Sequence, residues 1–267
     1  MPTPVILITG CSTGIGRCCA EGMAKRGWRV IASARRPEDV AELQAAGLEA
    51  MVLDMACGES IARAAAEVLQ LTGGRLDAVF LNAGYGQSGP VERLTREAVR
   101  AQFEANVFGN VDLLTHLIPV MRAARRGRIV FNSSVLGSVA IPDHGAYVAS
   151  KYAVEGFADT LRLELRGSGI HVSLIKPGPI TSRFQANAAT ARARLEDREA
   201  RVSPTAARER RYPFTLGPEA VLRKLVHACE AHNPKARYPV TLPAHLIGVL
   251  RRLLPTRLMD LILARVG

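Results

Sequence analysis

Tyr147 and Lys151 stand four positions apart in Tyr147-Val-Ala-Ser-Lys151. On a helix, positions i and i+4 share a face, so a phenol and an ammonium placed there sit side by side. An unperturbed phenol titrates at about pH 10, and a neighbouring cation favours the phenolate and draws that value down. Such a tyrosine can pass a proton to, or take one from, a reacting oxygen. In isolation, the same spacing is better explained by a surface lysine beside a half-buried tyrosine. Its company decides.

That company begins near the N-terminus, where the apolar run Val5–Thr9 enters Gly10-Cys11-Ser12-Thr13-Gly14-Ile15-Gly16 and a helical pattern follows. Glycines permit a tight turn and let a pyrophosphate approach the backbone, while the helix start supplies N–H donors and a positive dipole end. The spacing is G-x-x-x-G-x-G, not the G-x-G-x-x-G of the commonest dinucleotide fingerprint. A dinucleotide site is still the better reading of a glycine-rich turn that follows a first strand. A carboxylate closing the second strand would accept ribose hydroxyls and repel a 2′-phosphate. Here that strand ends Ala32-Ser33-Ala34-Arg35-Arg36. Guanidinium groups pair with phosphate and stack on adenine, so NADP(H) is expected over NAD(H), with Ser12 as a further hydroxyl. The alternative is two arginines that merely open a solvated loop.

Together these segments resemble the short-chain dehydrogenase/reductase (SDR) family. Thr9–Gly16 is similar to its TGxxxGIG motif, and Tyr147 with Lys151 to its YxxxK. Ser134 lies thirteen residues before Tyr147, as the family's serine does, and Asn106 in Asn106-Val-Phe-Gly109 resembles its helix-four asparagine. Asn82-Ala83-Gly84 resembles the NAG motif and Pro177-Gly178 the PG motif, so the resemblance runs from Val5 to Ile180 in the expected order. The resemblance implies Tyr147 as general acid or base, and Lys151 lowering its pKa and bonding the nicotinamide ribose. It implies Ser134 polarising a carbonyl and Asn106 holding a water that links Lys151 to solvent. It places Gly10, Ser12, Thr13, Gly14, Ile15, Gly16, Arg35, Arg36, Asp54, Met55, Asn82, Ala83, Gly84, Tyr147, Lys151, Pro177, Gly178, Ile180 and Ser182 around the cofactor. Asp54 would meet the adenine amino group, and Ser182, with Thr181 as the alternative, the carboxamide or phosphate. Ser133 matches no catalytic position and reads as a strand-end hydroxyl. Leu81 departs from the family, many members of which carry a second Asn there.

The elements that must hold these residues are short, β-branched apolar runs alternating with helical patterns. Strands are predicted at Val5–Thr9, Arg29–Ala34, Ala50–Asp54, Ala78–Leu81, Arg128–Ser133, His171–Ile175 and near Arg237–Leu242. Helices are predicted at Ile15–Arg26, Pro37–Ala46, Ser60–Leu71, within Thr95–Arg122, over Ala146–Arg166 and from Pro218–Glu219 onward. Such alternation implies an α/β fold: a single doubly wound Rossmann-type domain over residues 1–267, a seven-stranded parallel sheet with helices on both faces. Thr181–Tyr212, long and Arg-rich, reads as a substrate lid or a mobile loop. Ala244–Val266 reads as an amphipathic helical tail interrupted by Pro255. Packing on the body or on a partner subunit is its expected role, and membrane-surface contact the lesser alternative.

Leu136, His144, Pro179 and Phe184 are the expected substrate contacts, with Pro142, Tyr85 and Gln87 as further contributors. Being mostly apolar, they suggest a hydrophobic aldehyde, ketone or secondary alcohol. The chain resembles bacterial NADP-dependent aldehyde reductases and the 17β-hydroxysteroid/retinol dehydrogenase-like subgroup. Reduction of an aldehyde or ketone is therefore expected, with a steroid- or retinoid-type alcohol dehydrogenase as the enzymatic alternative. A non-catalytic dinucleotide-binding regulator is the remote one, since such proteins typically lose the tyrosine or lysine. The resemblance also implies a homodimer or homotetramer.

Composition narrows the field further. At 48% hydrophobic and 22% charged, the chain is ordinary globular material and not disordered. Five cysteines without a C-x-x-C pair support neither disulfides nor zinc, and no structural metal is expected. No apolar run is long enough to span a bilayer, and the N-terminus lacks a signal peptide's basic region, so the cytoplasm is the expected compartment. The net charge of +11 is unevenly placed. Residues 1–182 hold 19 basic and 17 acidic side chains, whereas residues 183–267 hold 16 and 7. A charge lodged in the lid and tail, without a basic recognition motif, argues against nucleic acid as a partner.

Overall fold

The computed structural model describes residues 2–196 and 214–264. Seven parallel strands form one sheet: β1 (Val5–Ile8), β2 (Arg29–Ala34), β3 (Glu49–Val52), β4 (Ala78–Leu81), β5 (Gly127–Asn132), β6 (Ile170–Lys176) and β7 (Arg237–Pro239). Their order is β3-β2-β1-β4-β5-β6-β7, so the winding reverses between β1 and β4. A crevice opens at such a reversal, beyond the carboxyl ends of the strands. Ile8 pairs with Ala32 on one side and Phe80 on the other, which brings the turn after β1 and the turn after β4 together.

The central strands β1 and β4 are apolar throughout because both faces are covered. Val5 and Leu7 point into one core with residues of α3 (Gly58–Leu71), α5 (Gly109–Ala123) and α6 (Gly145–Glu164). Ile6 and Ile8 point into the other, against α1 (Gly14–Lys25), α2 (Pro37–Ala45) and α8 (Glu219–Glu230). In α1 the buried residues are Gly16, Cys19, Ala20 and Met23, the i, i+3, i+4, i+7 stripe of an amphipathic helix.

Three predicted boundaries shift for local reasons. β3 ends at Val52, short of Asp54, whose carboxylate accepts the Ala56 N–H and turns the chain. β7 stops at Pro239 because Thr241 caps α9 (Leu242–Leu253), its hydroxyl accepting the Ala244 N–H. The long helix predicted within Thr95–Arg122 is instead α4 (Arg96–Phe103) and α5, joined by a five-residue π-helical turn, Glu104–Phe108. The lid region contains α7 (Phe184–Glu196), and the rest of Thr181–Tyr212, from 197 on, lies outside the described residues. The tail is α9 followed by α10 (Thr256–Leu263), broken at Pro255 as predicted. No helix among the described residues is long and apolar enough to cross a membrane.

Candidate active site

The turn after β1 is shaped by Gly10 and Gly14, at φ 71° and 59°, where other residues are strained. α1 then begins with no acidic residue in its first turn and no side-chain cap from Thr13. Its first N–H groups are therefore left for an anion. A Cβ built on Gly14 would stand 3.1 Å from that of Ser182, so the loop after β6 closes directly over this turn. Both sides of this approach are backbone or a short hydroxyl, and Arg35 is exposed at the end of β2.

A hydrogen-bonded chain joins the glycine turn to the Tyr–Lys pair. The Thr9 hydroxyl accepts the N–H groups of Asn82 and Ala83, both at 2.9 Å. Asn82 Nδ2 donates to the carbonyls of Thr9 and Gly10, and Asn132 Nδ2 donates to Asn82 Oδ1 at 2.9 Å. Lys151 Nζ donates to the Asn132 carbonyl at 2.7 Å. Asn132 was not among the predicted site residues, yet it carries the link. Its position at the end of β5, two residues before Ser134, is the signal that could have marked it. Its buried Oδ1 accepts no hydrogen bond among the described residues.

Tyr147, Ser134 and Lys151 come together, all buried. α6 presents Tyr147 and Lys151 on one face, and the ammonium lies 5.7 Å from the centre of the phenol ring. Burial pushes the Tyr147 phenol up to about 12, against the opposing effect of a hydrogen bond with Ser134. Burial also brings Lys151 down to about 8, with Glu155 working against it. The expected lowering of the tyrosine by the lysine is thus not what this geometry produces. Desolvation outweighs a cation that is engaged with a carbonyl and is itself disfavoured by burial.

Asn106 sits inside the π turn, buried. Both hydrogens of its amide are taken, by the Tyr85 carbonyl at 3.0 Å and Ser150 Oγ at 3.2 Å, and its Oδ1 accepts the Tyr85 N–H. The side chain positions the loop after β4 and the middle of α6. Asp54 and Met55 follow β3, and Met55 is buried. Ala83 and Gly84 follow β4, and a Cβ on Gly84 would press on Asn106 Oδ1. Pro177 accepts the Val135 N–H and Ile180 bridges to Leu216, which ties the loop after β6 on both sides. Ser12, Thr13 and Ile15 are half-buried along the glycine turn, with Gly16 packed beneath Gly10.

Arg36 departs from expectation. Its guanidinium forks onto Asp39 at 2.7 and 2.9 Å, whereas Arg35 makes no ion pair among the described residues. Of the two arginines, Arg35 is the one not forked onto a carboxylate among the described residues.

Of the expected substrate contacts, Phe184 stacks obliquely on Tyr147, ring centres 5.1 Å apart. Leu136 packs against the tail helices. Pro179 lies in the loop after β6, its carbonyl accepting the Leu216 N–H. His144 precedes α6 at its N-cap and bonds the Pro142 carbonyl, a cap residue and not a second acid. Gln87 is buried and donates to the Ala191 carbonyl, so it anchors α7 over the site. Tyr85 contributes its backbone to Asn106 and Gln102.

The family model for short chain dehydrogenases matches residues 4–193. A protein named as an uncharacterized oxidoreductase, YbbO of Escherichia coli (strain K12), is 46% identical over 258 residues, spanning 97% of this chain and 93% of its own. Estradiol 17-beta-dehydrogenase 1 of Rattus norvegicus is more distant, 33% identical over 89% of this chain and 74% of its own. Among solved structures, a short-chain dehydrogenase from Streptomyces avermitilis superposes with a TM-score of 0.78 at 29% identity, covering 95% of this chain and 94% of that one.

Proposed function

The chain belongs to the short chain dehydrogenase family, and from that premise we propose that it reduces a hydrophobic aldehyde or ketone to the alcohol with NADPH. It is an oxidoreductase of a family that uses NAD(P). The observation that carries the finer reading is that Tyr147, Ser134 and Lys151 are buried together, with the ammonium 5.7 Å from the centre of the phenol ring. When bound, the nicotinamide supplies hydride to the carbonyl carbon. Ser134 orients the carbonyl oxygen and steadies its developing charge. Tyr147 delivers the proton that completes the alcohol, and at a pKa of about 12 it holds that proton throughout the physiological range.

Gly10, Gly14, Gly16 and the start of α1 would cradle the pyrophosphate, with Ser182 opposite. Lys151 and the backbone at Asn82–Gly84 would hold the nicotinamide side, Asp54 the adenine, and Arg35 the 2′-phosphate. Phe184 and Leu136 give the substrate an apolar wall, with α7 as the described part of a lid. Exposed Phe157 and Leu163 on α6 offer a homo-oligomer an apolar face. Relatives named for estradiol and retinol support a second substrate class, steroid- or retinoid-type alcohols and their carbonyls.

The test follows NADPH and NADH consumption by the purified protein across aliphatic aldehydes, ketosteroids and retinal. Turnover with NADPH is expected, and Tyr147→Phe should lose it by about a hundredfold or more while still binding NADPH. A protein that binds NADPH but turns over no carbonyl would be a dinucleotide-binding regulator instead.

A further inference from the structure

The tail helices have two apolar faces, and only one is used. On the inward face Ala244, Met259 and Leu263 are buried, and Ile247, Leu250 and Leu254 pack with them against Val135, Leu136, Val139 and Ile141. On the outward face of α9, Leu242, Leu246, Val249 and Leu253 are between 50% and 73% exposed. Their spacing of four, three and four residues sets them in one narrow line along the helix. α10 continues the surface with exposed Leu258, Leu261 and Ile262. An aliphatic line of this length is not a scatter of surface leucines but an interaction face.

Its charge says what it meets. Arg251 and Arg252 close α9 and Arg257 opens α10, against a single carboxylate, Asp260, over residues 242–264. Arg251 lies over the Tyr152 ring at 5.4 Å, which leaves Arg252 and Arg257 exposed beside the aliphatic line. Two copies joined through this face would bring arginine towards arginine with too little acid to offset them. A phosphate-rich surface has the complementary sign. We propose that α9 and α10 dock the protein on an anionic lipid bilayer. The outward aliphatics enter the headgroup boundary, and Arg252 and Arg257 rest on lipid phosphates. Because the inward face of the same helices packs on Leu136, two residues from Ser134, docking brings the lipid surface close to the carbonyl wall of the site.

The experiment is flotation of the full chain with vesicles of phosphatidylcholine alone or of phosphatidylcholine and phosphatidylglycerol in equal parts. Binding to the mixed vesicles is expected to exceed that to phosphatidylcholine by about tenfold or more, and to fall as salt is raised. Leu246→Gln with Val249→Gln, and separately Arg252→Gln with Arg257→Gln, should each lower binding to the mixed vesicles by about tenfold, with melting temperature and solution mass unchanged. Absence of binding to the mixed vesicles, or equal binding to both kinds, overturns the proposal. So does a fall in solution mass in the Leu246/Val249 variant with vesicle binding intact, which would place a second copy on this face.

Discussion

Ser133 donates its hydroxyl to Oε1 of Glu155 across 2.6 Å. The same carboxylate lies 3.0 Å from Lys176 Nζ, and its other oxygen accepts Arg237 Nε at 3.3 Å. One buried acid on α6 thus ties the end of β5, the end of β6 and β7, just beneath Ser134 and the Pro177-Gly178 turn. Glu155→Gln keeps an acceptor for Ser133 but leaves Lys176 without a carboxylate, while Arg237 keeps its ion pair with Asp159. We expect it to lower stability by about 3 kcal/mol in urea unfolding. A loss within about 1 kcal/mol would mean the pair behaves like a surface ion pair.

The buried pair makes alkaline stability non-monotonic. Lys151 titrates at about 8 in the folded protein against an ordinary 10.5, so between those values the unfolded chain holds the extra proton and stability rises with pH. Tyr147 moves oppositely, from 10 up to about 12, so stability falls as pH climbs through that higher window. Relative to Lys151→Met, the wild type should gain on the order of 2–3 kcal/mol between pH 8 and 10. Unfolding titrations at stepped pH are the check, and parallel curves for the two proteins would refute the buried ammonium.

Arg35 should set the cofactor preference. Arg35→Ser is expected to weaken NADPH binding by about ten- to a hundredfold and NADH binding by less than about threefold, the worth of a charge-assisted bond to phosphate. Arg36→Ser should matter less, because Arg36 must first leave Asp39. Calorimetric titration of both variants with both cofactors decides, and equal effects on NADPH and NADH would remove Arg35 from the phosphate site.

Two glycines should respond in opposite ways to one methyl group. A Cβ on Gly16 would lie 2.1 Å from the Gly10 carbonyl oxygen and 2.6 Å from Asn82 Nδ2, an approach the backbone cannot accommodate. Gly16→Ala should cost about 3 kcal/mol or more in stability and abolish dinucleotide binding. Gly156 lies exposed within α6 with nothing within 4 Å of its Cβ position. Gly156→Ala should add about 0.5–1 kcal/mol. Thermal melts of the two proteins test both.

The strands, though not their order, were legible in the chain. β2 and β4 begin and end where their apolar runs do, because both of their faces are covered. The company of Ser134, Tyr147 and Lys151 was likewise legible from spacing. The pKa of Tyr147 was not, since it depends on how much water the folded walls exclude, a tertiary property. The pairing of Arg36 with Asp39 hid for a different reason. Two adjacent arginines look alike in sequence, and the start of α2 decides which one is claimed. The π turn left no mark, as Glu104–Phe108 holds no Gly or Pro to interrupt a helical reading.

That turn has a consequence of its own. Glu104–Phe108 accommodates one residue more than regular helix would, so α4 and α5 are out of phase by a single step. Removing one residue there would close the turn into regular helix and leave α4 and α5 in place. The widened turn that aims Asn106 at Tyr85 and Ser150 would be gone, though no side chain of the site had been altered. In this stretch the protein keeps a count as well as a composition: many substitutions could pass, but a one-codon deletion could not.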